Sequence, residues 1–287
     1  MTHLKTTISN SELAATINHK GAELISLRKI SSNKEYIWEG NPVYWGKHSP
    51  ILFPIVGTLK DNSYTYKNNT YQLSRHGFAR DMDFNLISYK ESEVIFSLQS
   101  TGLTKESFPF EFELRVIYTL HNSEILVRYQ IINNDVDKMP FSIGGHPAFA
   151  LSKNFEDYSL QFETNEELTS CQLENDLLSE KTKQIALFEN RMPLTYSLFE
   201  NDALIFKELK SKQIQILENG IPIVNFTFND FPNFGIWTKI NAPFICLEPW
   251  VGFSDVSNAT GNILEKEGIQ ILDSNSSKEF NFSIEIL

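Results

Sequence analysis

Phe112-Glu113-Leu114-Arg115-Val116-Ile117-Tyr118-Thr119-Leu120-His121-Asn122-Ser123-Glu124-Ile125-Leu126-Val127-Arg128-Tyr129-Gln130-Ile131 decides the fold class. Phe112, Leu114, Val116, Tyr118 and Leu120 recur at every second position, with Glu113, Arg115 and Thr119 between them. A period of two puts one set of side chains on one face of a strand. After His121-Asn122-Ser123 the pattern resumes at Ile125, Val127, Tyr129 and Ile131. The stretch therefore predicts two antiparallel strands joined by a tight turn, where Asn tolerates positive φ.

The same pattern extends outward in both directions. Val224, Phe226 and Phe228 alternate with polar residues, as do Phe280, Phe282, Ile284 and Ile286 near the C-terminal end. Asn68-Asn69 and Asn219-Gly220 separate further pairs of short apolar runs. The 22 Phe, 10 Tyr and 4 Trp suit pleated, half-buried surfaces. Many short strands joined by turns predict an all-β chain, a large antiparallel β-sandwich. With no Pro/Gly/Ser-rich linker, residues 1–287 read as a single domain. One segment, Thr164–Leu178, reads either as a short helix or as a long loop.

Charge and cysteine usage exclude several functions. A formal net charge of -11 with no basic cluster makes nucleic acid a poor partner. Cys171 and Cys246 are far apart in sequence, so they suggest neither a disulfide framework nor a metal motif. Met1–Asn10 carries no apolar signal segment, and no apolar run approaches the ~20 residues that span a bilayer. The expected location is the cytoplasm, without a membrane partner. No nucleotide-binding or metal motif appears, so no cofactor and no metal are expected.

Three residues stand out as chemistry. His76 sits in Arg75-His76-Gly77-Phe78-Ala79-Arg80, where flanking arginines suit an oxygen-rich ligand. His146 sits in Gly144-Gly145-His146-Pro147, where glycines and proline suggest an unusual backbone around one imidazole. Glu248 follows the apolar run Phe244–Leu247, which reads as a buried strand delivering a carboxylate to its end. A desolvated carboxylate gains proton affinity and can act as a base near neutral pH. Trp237 and Trp250 offer flat faces on which a sugar ring can stack. Each feature alone also fits a structural role: a hydrogen-bonded turn histidine, or a core tryptophan. His48 is ambiguous, while His19 and His121 read as ordinary surface residues. Glu248 and Asp255 could be read as a glycosidase pair, but sequence spacing cannot supply the carboxyl separation.

Taken together, Trp45–Gly57, Arg75–Arg80, Gly144–Phe149, Asp202–Phe206, Phe231–Trp237 and Phe244–Asp255 resemble the aldose 1-epimerase (galactose mutarotase-like) family, and most closely its bacterial LacX-like branch. The resemblance implies a sandwich of the galactose mutarotase type that interconverts the α and β anomers of an aldohexose. It implies that His146 protonates the ring oxygen, that Glu248 takes the proton of the C1 hydroxyl, and that His76 binds near the ring oxygen. Asp202 is implied to bind sugar hydroxyls. The branch often carries Arg after the glycine of the Phe-Pro-x-x-Gly segment, whereas Gly57 is followed here by Thr58. Arg75 or Arg80 is then left to contact the monosaccharide, or a phosphate on it. Two other readings stay open: a hexose-6-phosphate mutarotase, and a non-catalytic sugar-binding protein on the same fold.

Overall fold

The computed structural model describes residues 4–287. Met1–His3, part of the segment read for a signal, lie outside the described residues. Two large antiparallel sheets form the body. One has nine strands in the order Arg191–Pro193, Tyr158–Phe162, Gln213–Glu218, Ile221–Thr227, Ser277–Ile286, Glu124–Asn133, Phe112–His121, Glu93–Gln99 and Asn85–Lys90. The other runs Leu177–Ile185, Leu168–Glu174, Leu204–Phe206, Asn233–Trp237, Phe244–Val251, Ile143–Gly145 and Ile51–Leu52, with Ala148–Ala150 also paired to Phe244–Val251. A four-stranded sheet, Lys5–Ser9 to Lys34–Glu35, the hairpin of Ser63–Tyr66 with Asn69–Gln72, and the pair of Met139–Phe141 with Gln270–Leu272 complete the strands among the described residues.

The alternation read from the sequence becomes the core. Ile125, Val127, Tyr129 and Ile131 are buried while their neighbours in Glu124–Asn133 are half-buried. Phe226 of the nine-stranded sheet meets Phe149 and Phe234 of the other, at 5.9 Å and 6.1 Å between ring centroids. These contacts join the two sheets face to face. The predicted turns hold: Asn122 has φ 50°, and Asn219-Gly220 have φ 50° and 81°. One turn shifts by a residue, with positive φ at Lys67 and Asn68 rather than Asn68-Asn69.

Thr164–Leu178 is neither a helix nor a long loop. Leu168–Glu174 is a strand that pairs with Leu177–Ile185 through a turn at Asn175-Asp176, with φ 51° and 65°. Both turn residues are types that accept the left-handed conformation. The signal was hidden because the hairpin buries little on its outer half, so polar residues interrupt the alternation.

Candidate active site

Glu248 is delivered by the most completely buried strand. Every residue of Phe244–Val251 is buried, and Glu248 is 1% exposed. The sequence reading placed Glu248 at a strand end. In the structure the strand continues through Pro249 and Trp250 to Val251, so the carboxylate stands on the face of the sheet. The strand alongside is interrupted there. Ile143–Gly145 pairs up to Gly144↔Trp250, and pairing resumes only at Ala148↔Cys246. His146 and Pro147 fill the gap opposite Glu248. Pro249 has no N–H for a neighbour to satisfy, so the interruption leaves no donor unpaired there.

This gap brings the acid/base candidates together. His146 Nε2 lies 3.2 Å from Glu248 Oε2. Glu248 Oε2 and His146 Nδ1 are buried and make no hydrogen bond of normal geometry with the protein. Trp45 stacks on the His146 ring at 4.8 Å, and Trp237 meets it edge-on at 5.8 Å. Gly144 and Gly145 are not turn glycines, contrary to the sequence reading. They are strand residues, and a Cβ on Gly144 would lie 2.7 Å from the Trp250 ring. The glycine makes room for the indole.

His76 comes from a different part of the fold. It has φ 68° and Gly77 follows with φ 69°. A Cβ on Gly77 would meet the Phe53 carbonyl oxygen at 2.3 Å, so only glycine fits there. The Gly57 N–H donates to His76 Nδ1 at 3.1 Å, and the His76 N–H donates back to the Gly57 carbonyl at 2.8 Å. A backbone N–H cannot accept, so Nδ1 is bare and the proton sits on Nε2. Burial, then Arg75, His146 and Arg80, push the His76 pKa well down, which keeps that ring neutral. Arg75 Nε lies 3.3 Å from Nε2, but with the proton on Nε2 these are two donors and do not hydrogen-bond; Asp176 holds the arginine instead.

These side chains line one cleft of about 490 Å³. Arg75, Arg80, Asp202, Trp237 and Trp250 line it as well, so every residue assigned to the sugar site reaches it. Arg75 is already engaged, whereas Arg80 keeps a buried Nε with no hydrogen-bond partner among the described residues. Arg75 pairs with Asp176 at 3.0 Å and with Asp202 at 3.7 Å, which brings the tip of the Leu168–Ile185 hairpin over the cleft. Arg80 donates to the Arg75 carbonyl at 2.8 Å and lies 3.7 Å from Asp81. Thr58 does not line the cleft; its N–H donates to Ser254 Oγ. Trp45, Glu200, Lys239 and Ser254 also line the cleft and were not singled out in sequence. Trp45 lay inside a matched segment; Lys239 and Glu200 carried no local signal.

Asp255 leaves the cleft altogether, against its reading as a glycosidase partner. Its carboxylate accepts from Lys266 Nζ at 2.8 Å and from the Lys60 N–H at 2.9 Å, below the cleft floor. Lys266 also donates to the Phe253 carbonyl, and the Asp255 N–H donates to the Thr58 carbonyl. This pair braces Phe253–Asp255 against the Gly57 turn that orients His76. Side-chain exposure is 3% for Lys266 and 6% for Asp255. Lys266→Met would strand a buried carboxylate, at a cost of about 3–5 kcal/mol. Urea denaturation should show this loss, and adding Asp255→Asn to the same chain should recover part of it. His48 sits beside Glu23, 3.8 Å away, and His19 bonds Thr6; neither lines the cleft.

The electrostatics follow from burial. Desolvation lowers the His146 pKa to about 3, with Arg80 and Arg75 acting in the same direction. Desolvation raises Glu248 well above the usual carboxylate range; Asp202 adds to this and Arg75 opposes it. Between these limits the pair holds one proton. Such a pair can take a proton from one oxygen and give a proton to another close by.

A sequence profile for aldose 1-epimerase matches residues 5–268. Protein LacX of Lactococcus lactis subsp. lactis is 35% identical over 279 residues, covering 90% of this chain and 91% of LacX. A galactose mutarotase related enzyme from Lactobacillus acidophilus superposes with a TM-score of 0.94 at 32% identity, covering 99% of this chain and 97% of that one. A galactose mutarotase-like protein from Lactobacillus casei gives 0.93, also at 32%, covering 99% and 100%. Among the described residues no helix is long and apolar enough to cross a membrane. A match over almost all of the sequence, with relatives of this similarity in both sequence and fold, places the chain in the aldose 1-epimerase family.

Proposed function

We propose that this chain is a working aldose 1-epimerase acting on an unphosphorylated aldohexose. The observation that carries the reading is the 3.2 Å approach of His146 Nε2 to Glu248 Oε2 at the floor of the cleft. Anomer exchange breaks one C1–O bond between two oxygens on the same carbon. The base that takes the O1 proton and the acid that protonates the ring oxygen must therefore stand side by side. In the minor form of the pair, with the shared proton on His146 and Glu248 ionised, Glu248 takes the O1 proton, His146 gives its proton to the ring oxygen as the bond from C1 to that oxygen breaks, and C1 becomes an aldehyde. Rotation about C1–C2 presents the other face, and reclosure returns both protons. His76, held as the Nε2–H tautomer, donates a hydrogen bond to a sugar oxygen. Trp45 and Trp237 provide apolar walls, and Asp202 binds a hydroxyl.

The engagement of Arg75 supports a neutral sugar. Three cations, Arg75, Arg80 and Lys239, face three carboxylates, Glu200, Asp202 and Glu248, around the cleft. A phosphate would have to draw Arg75 from Asp176 and Asp202. Polarimetry on freshly dissolved pure anomers of a free hexose and its 6-phosphate tests this. We expect kcat/KM for the free sugar to be higher by a factor of up to roughly 5 per ion pair given up, since half-exposed pairs such as these are worth ~0–1 kcal/mol each. Preference for the phosphorylated sugar, selectively weakened by Arg75→Gln or Arg80→Gln, would establish the hexose-6-phosphate alternative instead.

A further inference from the structure

We infer that His146 and Glu248 on the floor of the cleft, together with the Cys246 thiol buried beside them, are also a binding site for a thiophilic divalent cation of the zinc class, and that such an ion shuts the site. Cys246 and Glu248 are two residues apart on Phe244–Val251, so their side chains leave the same face of the sheet. His146 reaches that face from the interrupted strand beside it. One imidazole nitrogen, the Cys246 sulfur and a Glu248 oxygen all lie within 4.8 Å of one another, and all three residues are buried. This juxtaposition was invisible as a sequence motif, because the ligands come from two strands rather than from one spaced run.

The donor set is borderline-soft: one nitrogen, one sulfur and one oxygen. Zinc and its relatives take such ligands at about 2.0–2.3 Å in a tetrahedron, often leaving one position for water or substrate. Bringing three ligands to those distances requires only small movements of side chains already in reach. Two further observations point the same way. Glu248 Oε2 is buried and unpartnered by hydrogen bonds, as a vacant ligand atom would be. Cys246 is a free thiol and 0% exposed. A thiolate, a carboxylate and a neutral imidazole balance a dication without leaving net charge in the low-dielectric floor. Binding releases the thiol proton and any proton held by Glu248 and His146 to solvent, so affinity rises with pH. An ion there occupies both the acid and the base.

The test uses the full chain and cobalt(II) alone as a spectroscopic probe, with zinc in the activity assay. We expect one equivalent of cobalt(II) to produce a thiolate-to-metal absorption band, lost in Cys246→Ala. Zinc should inhibit anomer exchange in the wild type, with inhibition weakened at least ~10-fold in Cys246→Ala, the low end of what losing even an outer partner of a metal site costs. Cys246→Ser keeps the side-chain volume, and should likewise lose the band. An absent or unsaturable band in the wild type, or a band and inhibition unchanged in both variants, overturns the site. The cobalt readout needs no turnover, so it stands apart from whether the chain is an active epimerase.

Discussion

Glu248→Gln folds and loses at least ~10²-fold in kcat, the low end for removing a general base. The amide is nearly isosteric, and the oxygen it replaces makes no hydrogen bond within the protein. Stability should therefore change little. The surrounding strand is apolar and fully buried, so a neutral side chain relieves desolvation rather than adding to it. What disappears is the proton acceptor beside O1. Steady-state rates on one free hexose, with circular dichroism and thermal melting on the same samples, separate loss of chemistry from loss of fold. A folded variant exchanging anomers at the wild-type rate removes Glu248 from the mechanism.

His146→Asn is the second large loss, again at least ~10²-fold, and it divides the two histidines by role. Asparagine cannot deliver a proton to the ring oxygen. His76→Asn should act mainly on KM, by roughly 2–13-fold, the value of one neutral hydrogen bond. Asparagine accepts the left-handed backbone at position 76 and its amide still donates. The pH profile carries the same assignment. On reference affinities the acidic limb would belong to the carboxylate and the alkaline limb to the imidazole. Burial reverses that order, because His146 falls to about 3 and Glu248 rises. The one-proton form of the coupled pair is the competent one, and it persists between the two limits. A second proton, added to His146 as pH falls toward about 3, closes the acidic side. Loss of the last proton, from Glu248, closes the alkaline side. The expected profile is a plateau whose acidic edge lies near 3 and whose alkaline edge lies above the usual carboxylate range. A rate that halves near the reference imidazole value of ~6.5 would mean that His146 titrates as an exposed histidine does. A dead His76→Asn beside an active His146→Asn would reverse the roles.

Legibility in the sequence followed burial. Where a strand buries one whole face, as in Glu124–Asn133, its alternation is complete and the strand is readable. Where a hairpin leans over a cleft with little behind it, as at Leu168–Ile185, polar residues fill both faces and the pattern fails. Glu248 was legible because a carboxylate inside an apolar run has few structural excuses. Its place on the sheet face was not, since Pro249 ordinarily argues for a strand end. The glycines before His146 were visible, but their reason was not: Gly144 makes room for Trp250 and Gly145 for Phe282, each more than 100 residues away in sequence. The Gly57–His76 bond that fixes one tautomer, the Asp255–Lys266 brace and the Cys246 thiol beside the acid and base all depend on contacts between distant strands and loops.

Exchange NMR on an equilibrium mixture of α and β anomers of a free aldohexose, with catalytic amounts of wild type, tests the central claim most directly. It reads the interconversion itself, at equilibrium and without coupling enzymes. The account predicts exchange between the anomeric signals well above the spontaneous rate, proportional to protein concentration and abolished in Glu248→Gln. Exchange at the spontaneous rate with folded wild-type protein, across the common free aldohexoses, would contradict it.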